Sequence, residues 1–184
     1  MNLYLVRHGE SEANAKRVVQ GQLDTPLTEN GRWQAQRVGM ALSHVKADVI
    51  LSSDLVRAFE TAQIIQKYLI PVTIRPSILL RERALGKVEG IPSSHSPINN
   101  TNGIESISAF LNRVSQFLYD LFEECENHEV IIVTHGGPLS ALVSIACLVD
   151  FDTQYPMRLI PNGSITVFRP FPNLHFFADT KHFR

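Results

Sequence analysis

Short apolar runs alternate with helix-period segments along this chain, and that alternation restricts the fold more than any other feature of it. Residues 3–6, 48–53 and 130–133 are strand-length and lack the polar alternation of a half-exposed strand, so each reads as a strand buried on both faces. Residues 71–75, with Val72-Thr73-Ile74, add another between the second and the last of these. The intervening segments keep a spacing of three to four. Ala35, Val38, Ala41, Leu42 and Val45 follow Thr28 as a candidate N-cap, and Leu55, Ala58, Ala62, Ile65 and Leu69 share one face over residues 54–68. A long helix is expected over residues 104–125, another over 139–149, and a C-terminal hairpin from residues 164–168 and 174–177. Strands alternating with helices imply an α/β fold: a mainly parallel central sheet covered on both faces, in three α/β/α layers. With 184 residues and no repeat, low-complexity tract or linker, residues 1–184 read as a single domain.

Composition narrows the partners. Lys plus Arg total 17 against 18 Asp plus Glu, so the net charge of -1 gives no general attraction to nucleic acid or an anionic membrane. Residues 130–149 are apolar overall, but Thr134, His135, Gly136, Gly137 and Pro138 interrupt them, as a strand, loop and helix would. The apolar stretch at residues 1–6 is too short for a signal-peptide core, and Cys125 and Cys147 have neither metal-ligand nor redox spacing. A cytoplasmic protein with free thiols is expected. His44, His95, His128, His175 and His182 form no ligand spacing and read as surface or loop residues, so no zinc site is expected. No glycine fingerprint follows the first strand, which disfavours a dinucleotide cofactor.

Open parallel sheets place ligands at the carboxyl ends of their strands. Here the first such end delivers Arg7 and His8, the second leads to Arg57 in the first turn of its helix, and the last delivers His135. If those ends adjoin, two arginines and two histidines meet in one pocket of a nearly neutral protein, which outlines a phosphate site. Phosphoryl transfer spreads charge over the equatorial oxygens, so positioning and positive electrostatics supply most of its catalysis. Arginine offers a planar fork that stays charged. A neutral histidine, its other ring nitrogen held, can be a covalent nucleophile. The Gly136-Gly137 turn before a helix brings backbone N–H groups toward the same anion. Glu82, in the loop after residues 71–75, is a candidate proton donor, with Glu10 and Glu89 as neighbouring acids of the same chemistry.

These residues resemble the histidine phosphatase superfamily, also called phosphoglycerate mutase-like proteins. Leu5-Val6-Arg7-His8-Gly9-Glu10-Ser11 is similar to the family signature, and Ser52-Ser53-Asp54-Leu55-Val56-Arg57-Ala58 to its second block. Leu80-Arg81-Glu82-Arg83 with Glu89-Gly90 resembles the third block, and Val133-Thr134-His135-Gly136-Gly137 the fourth. The resemblance implies His8 as the phosphorylated nucleophile, with Arg7, Arg57 and His135 as phosphate-binding partners. It implies Glu82 as general acid and then base, and Asn14, Gln20, Gly21 and Gly136 as residues lining the phosphate or substrate. It implies no metal and no cofactor, with a small phosphorylated metabolite as the partner. Oligomeric state is not readable from the sequence.

Within the family, mutases hold a bisphosphate under a long basic insertion after the Glu82 block. Here only residues 91–103 separate Glu89-Gly90 from Glu105-Ser106, and they carry no Lys or Arg, which favours water as the acceptor. Asn162-Gly163-Ser164 and Glu12-Ala13-Asn14 also look more like the phosphatase branch. A phosphoglycerate mutase and a non-catalytic phosphate-binding protein are the alternatives. Val88 and the stretch Thr101-Asn102-Gly103-Ile104-Glu105-Ser106 depart from the family pattern where the rest of the substrate would lie, so the resemblance leaves the substrate open.

Overall fold

The computed structural model describes residues 1–95, 103–151 and 156–184, without the side chains of His95 and Arg158. Most of the turn-rich segment at residues 91–103, and whether it closes over a site, lies outside them. The strands are β1 (Asn2–Arg7), β2 (Val49–Ser53), β3 (Thr73–Ser77), β4 (Glu129–Thr134), β5 (Ile165–Phe168) and β6 (Leu174–Asp179). The helices of four residues or more are α1 (Glu12–Ala15), α2 (Glu29–Leu42), α3 (Val56–Gln66), α4 (Ile107–Cys125) and α5 (Gly136–Ala146).

The strands form one sheet in the order β3-β2-β4-β1-β5-β6. From β3 to β1 the neighbours are parallel, while β5 and β6 join antiparallel as the expected C-terminal hairpin. Side chains alternate between faces along each strand. Leu3, Leu5, Val130 and Ile132 pack with Phe110, Val114 and Phe117 of α4 and Leu139 and Val143 of α5. Tyr4, Val6, Ile131 and Val133 pack on the opposite face with Val38 and Leu42 of α2 and Ala58, Ala62 and Ile65 of α3. Two cores on one sheet account for the uninterrupted apolar runs, and the three-layer α/β/α architecture follows. No helix among the described residues is long and apolar enough to cross a membrane.

Three boundaries differ from the sequence reading, each for a local reason. The strand expected at residues 71–75 sits at Thr73–Ser77 and includes Pro76. β3 is an edge strand, where proline's missing N–H is tolerated. The long helix begins at Ile107 rather than residue 104, because the Ser106 hydroxyl accepts from the N–H of Ala109 at 3.1 Å and caps it there. Helix α5 begins at Gly136, three residues before the expected start. Gly136-Gly137 is therefore its first turn and not a loop ahead of it. Pro138 is compatible with that turn, whose N–H groups have no partner within the helix.

Candidate active site

Four parallel strands end side by side, and each contributes a polar group at its carboxyl end. β1 runs into His8, β4 into His135, β2 into Ser53 and then Arg57 on α3, and β3 into the loop that carries Glu82. Pairing of Arg7 with Thr134, and of Val133 with Ser52, aligns these ends to within a residue. The His8 N–H donates to the Thr134 carbonyl at 2.9 Å, which fixes the nucleophile candidate against β4.

His8 is 2% exposed, and its Nδ1 lies 2.7 Å from the Gly9 carbonyl oxygen. A carbonyl only accepts, so Nδ1 carries the proton and Nε2 keeps its lone pair. Burial first, then the charges of Arg57 and Arg7, hold the His8 pKa well below the ordinary histidine value. The ring is neutral near pH 7, as a nucleophile requires.

His135 is fully buried and meets His8 edge-on, with ring centroids 5.0 Å apart and planes at 63°. Its Nε2 lies 2.8 Å from the Ser53 hydroxyl, which accepts from the Leu55 N–H at 3.3 Å. The hydroxyl proton has no other acceptor among the described residues, so it is assigned to Nε2, which leaves the ring proton on Nδ1. Nδ1 has no partner within the described residues. Burial, followed by Arg57, His8, Arg7 and Arg113, lowers the His135 pKa well below the ordinary value, so this ring too is neutral.

The two arginines repeat the pattern of anchored heads with one unpaired donor. Arg57 is 1% exposed, and its terminal nitrogens donate to the carbonyls of Leu23 and Gly21 at 2.9 and 2.8 Å. Arg7 donates through Nη1 to the Ile160 carbonyl. The Nε of each is buried without a partner. Burial lowers both pKa values, that of Arg57 to about 10, against the opposing charge of Glu82, so Arg57 remains a cation at neutral pH. Buried donors of this kind are costly unless an acceptor arrives. Three of them around His8 describe a receptor for an anion.

Glu82 faces the same space. Its carboxylate accepts from the Arg83 N–H at 2.9 Å and from the Gly137 N–H, at the start of α5, at 3.1 Å. A Cβ on Gly137 would stand 2.2 Å from Glu82 Oε1, so the approach requires glycine there. The flanking arginines point to other partners: Arg81 pairs with Asp54, and Arg83 Nε donates to the Glu105 carbonyl at 2.7 Å. Glu10 accepts from the Thr28 hydroxyl at 2.7 Å, and Glu89 accepts the N–H groups of Gln22 and Leu85 at 2.9 and 2.8 Å. Neither Glu10 nor Glu89 lines the cavity; Glu82 does.

That cavity, about 400 Å³, is lined at its polar end by Arg7, His8, Arg57, Glu82, Asn14 and Gln20, with Gly21 and Gly137 beside them. His135 and Gly136 lie behind this wall. Gly136 packs under Met157 and the Arg7 guanidinium, and the Gly137 N–H is engaged by Glu82 rather than turned to an anion. Gly21 adopts φ +50 and leaves no room for a side chain beside Glu89, which lets its carbonyl reach Arg57. A larger cavity of about 530 Å³ lies between α2 and the β5–β6 hairpin and holds His44, His175 and His182. Among the described residues, none with an unpaired buried donor lines that cavity, so the smaller one is the candidate site. His182, expected at the surface, is instead half-buried beside the Gly163 carbonyl at 2.9 Å, and burial lowers its pKa.

Three supporting groups were given no site role by the sequence, although Ser53 and Asn162 lie in stretches it singled out. Ser53 sets the His135 tautomer. Asn162 donates to the His8 carbonyl at 3.1 Å and to Asn14 Oδ1 at 3.2 Å, joining the β5 approach to the β1 end. Arg113 on α4 holds the carbonyls of Leu79 and Arg81 at 2.7 and 2.9 Å and pairs with Glu105 through both oxygens, clamping the loop that presents Glu82. No local pattern in the sequence says which loop Arg113 reaches. Among the described residues, no group of three or more His, Cys, Asp or Glu is placed to hold a metal ion.

Comparison with known proteins places this geometry among relatives. Residues 3–176 match the histidine phosphatase superfamily (branch 1). The phosphoglycerate mutase-like protein 4 of Arabidopsis thaliana is 34% identical over 98% of this chain and 86% of its own length. The adenosylcobalamin/alpha-ribazole phosphatase of Salmonella typhimurium is 35% identical, with 78% of each chain covered. Among solved structures, Bacillus stearothermophilus YhfR superposes with a TM-score of 0.88 at 29% identity, covering 100% of this chain and 99% of that one.

Proposed function

This chain belongs to the histidine phosphatase superfamily, and from that premise we propose that it is a phosphatase that hydrolyses small phosphomonoesters through a phosphohistidine on His8. The observation that carries this reading is the set of unpaired buried donors, Arg7 Nε, Arg57 Nε and His135 Nδ1, around a neutral His8. Relatives in the superfamily bear both phosphatase and mutase names, so the choice of acceptor rests on this chain's own residues.

In the first step, His8 Nε2 attacks phosphorus, the ester P–O bond breaks, and the leaving oxygen takes a proton from Glu82. Arg7 and Arg57, which line the cavity, hold the equatorial oxygens as their charge rises, with His135 against the His8 ring as a further donor. In the second step, water attacks the phosphohistidine and gives its proton to Glu82, while the N–P bond breaks and its electron pair returns to Nε2. Inorganic phosphate leaves, and both groups are restored. Arg7 and Arg57 supply the charge neutralisation, so the scheme requires no metal.

The test is turnover of p-nitrophenyl phosphate in EDTA by the wild type and His8→Ala. The proposal expects activity in the first and a loss of at least about 10⁴-fold in the second, the scale on which catalytic nucleophiles act. Comparable activity in the two proteins would overturn it.

A further inference from the structure

Beyond the polar end, the wall of the cavity changes character. Val18, Val19, Leu85, Ile107, Phe151 and Met157 come from five separate segments and converge on the same 400 Å³. Phe110 backs them: it is fully buried, its ring lies 5.6 Å from that of Phe151, and the Arg113 guanidinium sits 5.2 Å from its centroid. Ile107 and Met157 are 42% and 44% exposed, so apolar side chains reach solvent at the edge of this wall. A volume of this size exceeds what a phosphoryl group fills and falls in the range of pockets that enclose a whole organic ligand.

Few charges reach this wall. Among the described side chains, the cations lining the cavity are Arg7 and Arg57, at the phosphate end, and Arg83, which keeps its charge while its Nε is held by the Glu105 carbonyl. Glu105 and Arg113 neutralise each other. Residues 96–102 and 152–155 contain no Lys or Arg, and Arg158 is the one Arg or Lys whose side chain is not described. A carboxylate or second phosphate laid against Val18, Leu85 and Ile107 would lose its hydration with little in return, whereas an apolar body would gain by burial.

We propose that the substrates of this site are monophosphate esters of apolar alcohols or phenols, with the phosphate as their one anionic group. The proposal rests on the phosphatase reading above and deepens it. It also separates the chain from a mutase, which must hold a bisphosphate, by the character of the wall rather than by loop length.

The experiment is a kcat/KM series over n-alkyl phosphates from propyl to hexyl, whose leaving groups differ little in basicity, with 3-phosphoglycerate as the anionic comparator. Burial of one methylene corresponds to about a fourfold change at full burial, so kcat/KM should rise at least tenfold from propyl to hexyl phosphate. Hexyl phosphate should also exceed 3-phosphoglycerate. The substitution Ile107→Lys, at a half-exposed position, should flatten the series and improve 3-phosphoglycerate relative to hexyl phosphate. A flat or falling wild-type series, or preference for 3-phosphoglycerate, would overturn the proposal. Calorimetric binding of propyl- and hexylphosphonate, which are not hydrolysed, reads the wall without turnover. At least tenfold tighter binding of the longer ligand supports the assignment, and equal affinities refute it. If no ester is hydrolysed, the phosphatase reading fails, and the phosphonate pair still decides the character of the wall.

Discussion

Substituting Gly137 with alanine tests the role of Glu82 without altering the carboxylate itself. The added Cβ would fall 2.2 Å from Glu82 Oε1, about 1 Å inside ordinary contact, and 3.2 Å from its Cδ, while the nearest atom of another residue, Phe110 Cζ at 3.4 Å, needs no adjustment. The carboxylate therefore has to retreat by about 1 Å, which breaks its 3.1 Å bond from the Gly137 N–H. A displacement of that size costs roughly 10²-fold where a group must be aligned with the reacting atoms. General acid catalysis is worth about 10²–10⁴-fold, so most of the loss should appear where the leaving oxygen needs its proton. We expect kcat/KM to fall about 100-fold for an alkyl phosphate and less than about 10-fold for p-nitrophenyl phosphate. Stability should change little, because alanine is favoured over glycine in a helix by up to about 1 kcal/mol. Steady-state kinetics on both esters, with urea unfolding as the control, provides the readout. Equal losses on the two esters, with an unchanged urea midpoint, would refute Glu82 as the proton donor. Unchanged kinetics would refute the claim that Gly137 positions it.

Further outcomes follow from the same contacts. Because the folded pKa values of His8 and His135 lie below the unfolded value near 6.5, the unfolded chain takes up protons first on acidification. Stability is therefore complete above about pH 6.5 and should fall below it by about 1.4 kcal/mol per pH unit for each buried ring; denaturant titrations at pH 7 and 5.5 that agree would contradict the neutral pair. Ser53→Ala removes the group that fixes the His135 tautomer and leaves Nε2 unpaired, which should cost about 1–3 kcal/mol and weaken inhibition by inorganic phosphate. An unchanged inhibition constant would show that the tautomer is set by something else. Arg113→Met leaves Glu105 without its cation and frees the Glu82 loop; a loss of about 3 kcal/mol in urea unfolding is expected, and a change below about 1 kcal/mol would show that the loop holds itself.

Much of this architecture could be read directly from the sequence because burial on both faces of a parallel strand leaves an uninterrupted apolar run. Leu3, Leu5 and their neighbours Tyr4 and Val6 serve two different cores, and that double burial is what made β1 conspicuous. Arg7, His8 and His135 were visible as polar groups at the ends of such runs. Their convergence could be stated only as a condition or as what the resemblance implies, since β1 and β2 are each paired to β4, which lies 127 and 81 residues away in sequence. Pro76 hid the true end of β3, because only the sheet order reveals an edge strand. The start of α5 was missed because Gly136 and Gly137 suggest a turn, whereas close packing against Met157 and Glu82 is what excludes a side chain there. Asn162, Ser53 and Arg113 each reach a partner distant in sequence, His8, His135 and Leu79 respectively, and such contacts leave no periodic trace.

The central claim is that His8 carries the phosphoryl group, and the most direct measurement is to trap it. Protein mixed with a rapidly hydrolysed aryl phosphate and quenched in alkali, where phosphohistidine persists, should yield a peptide spanning residues 1–16 with one added phosphoryl group on His8. The label should be absent from His8→Ala and should accumulate when Glu82→Gln slows attack by water. A label on another residue, or turnover in His8→Ala with no labelled species, would contradict the account.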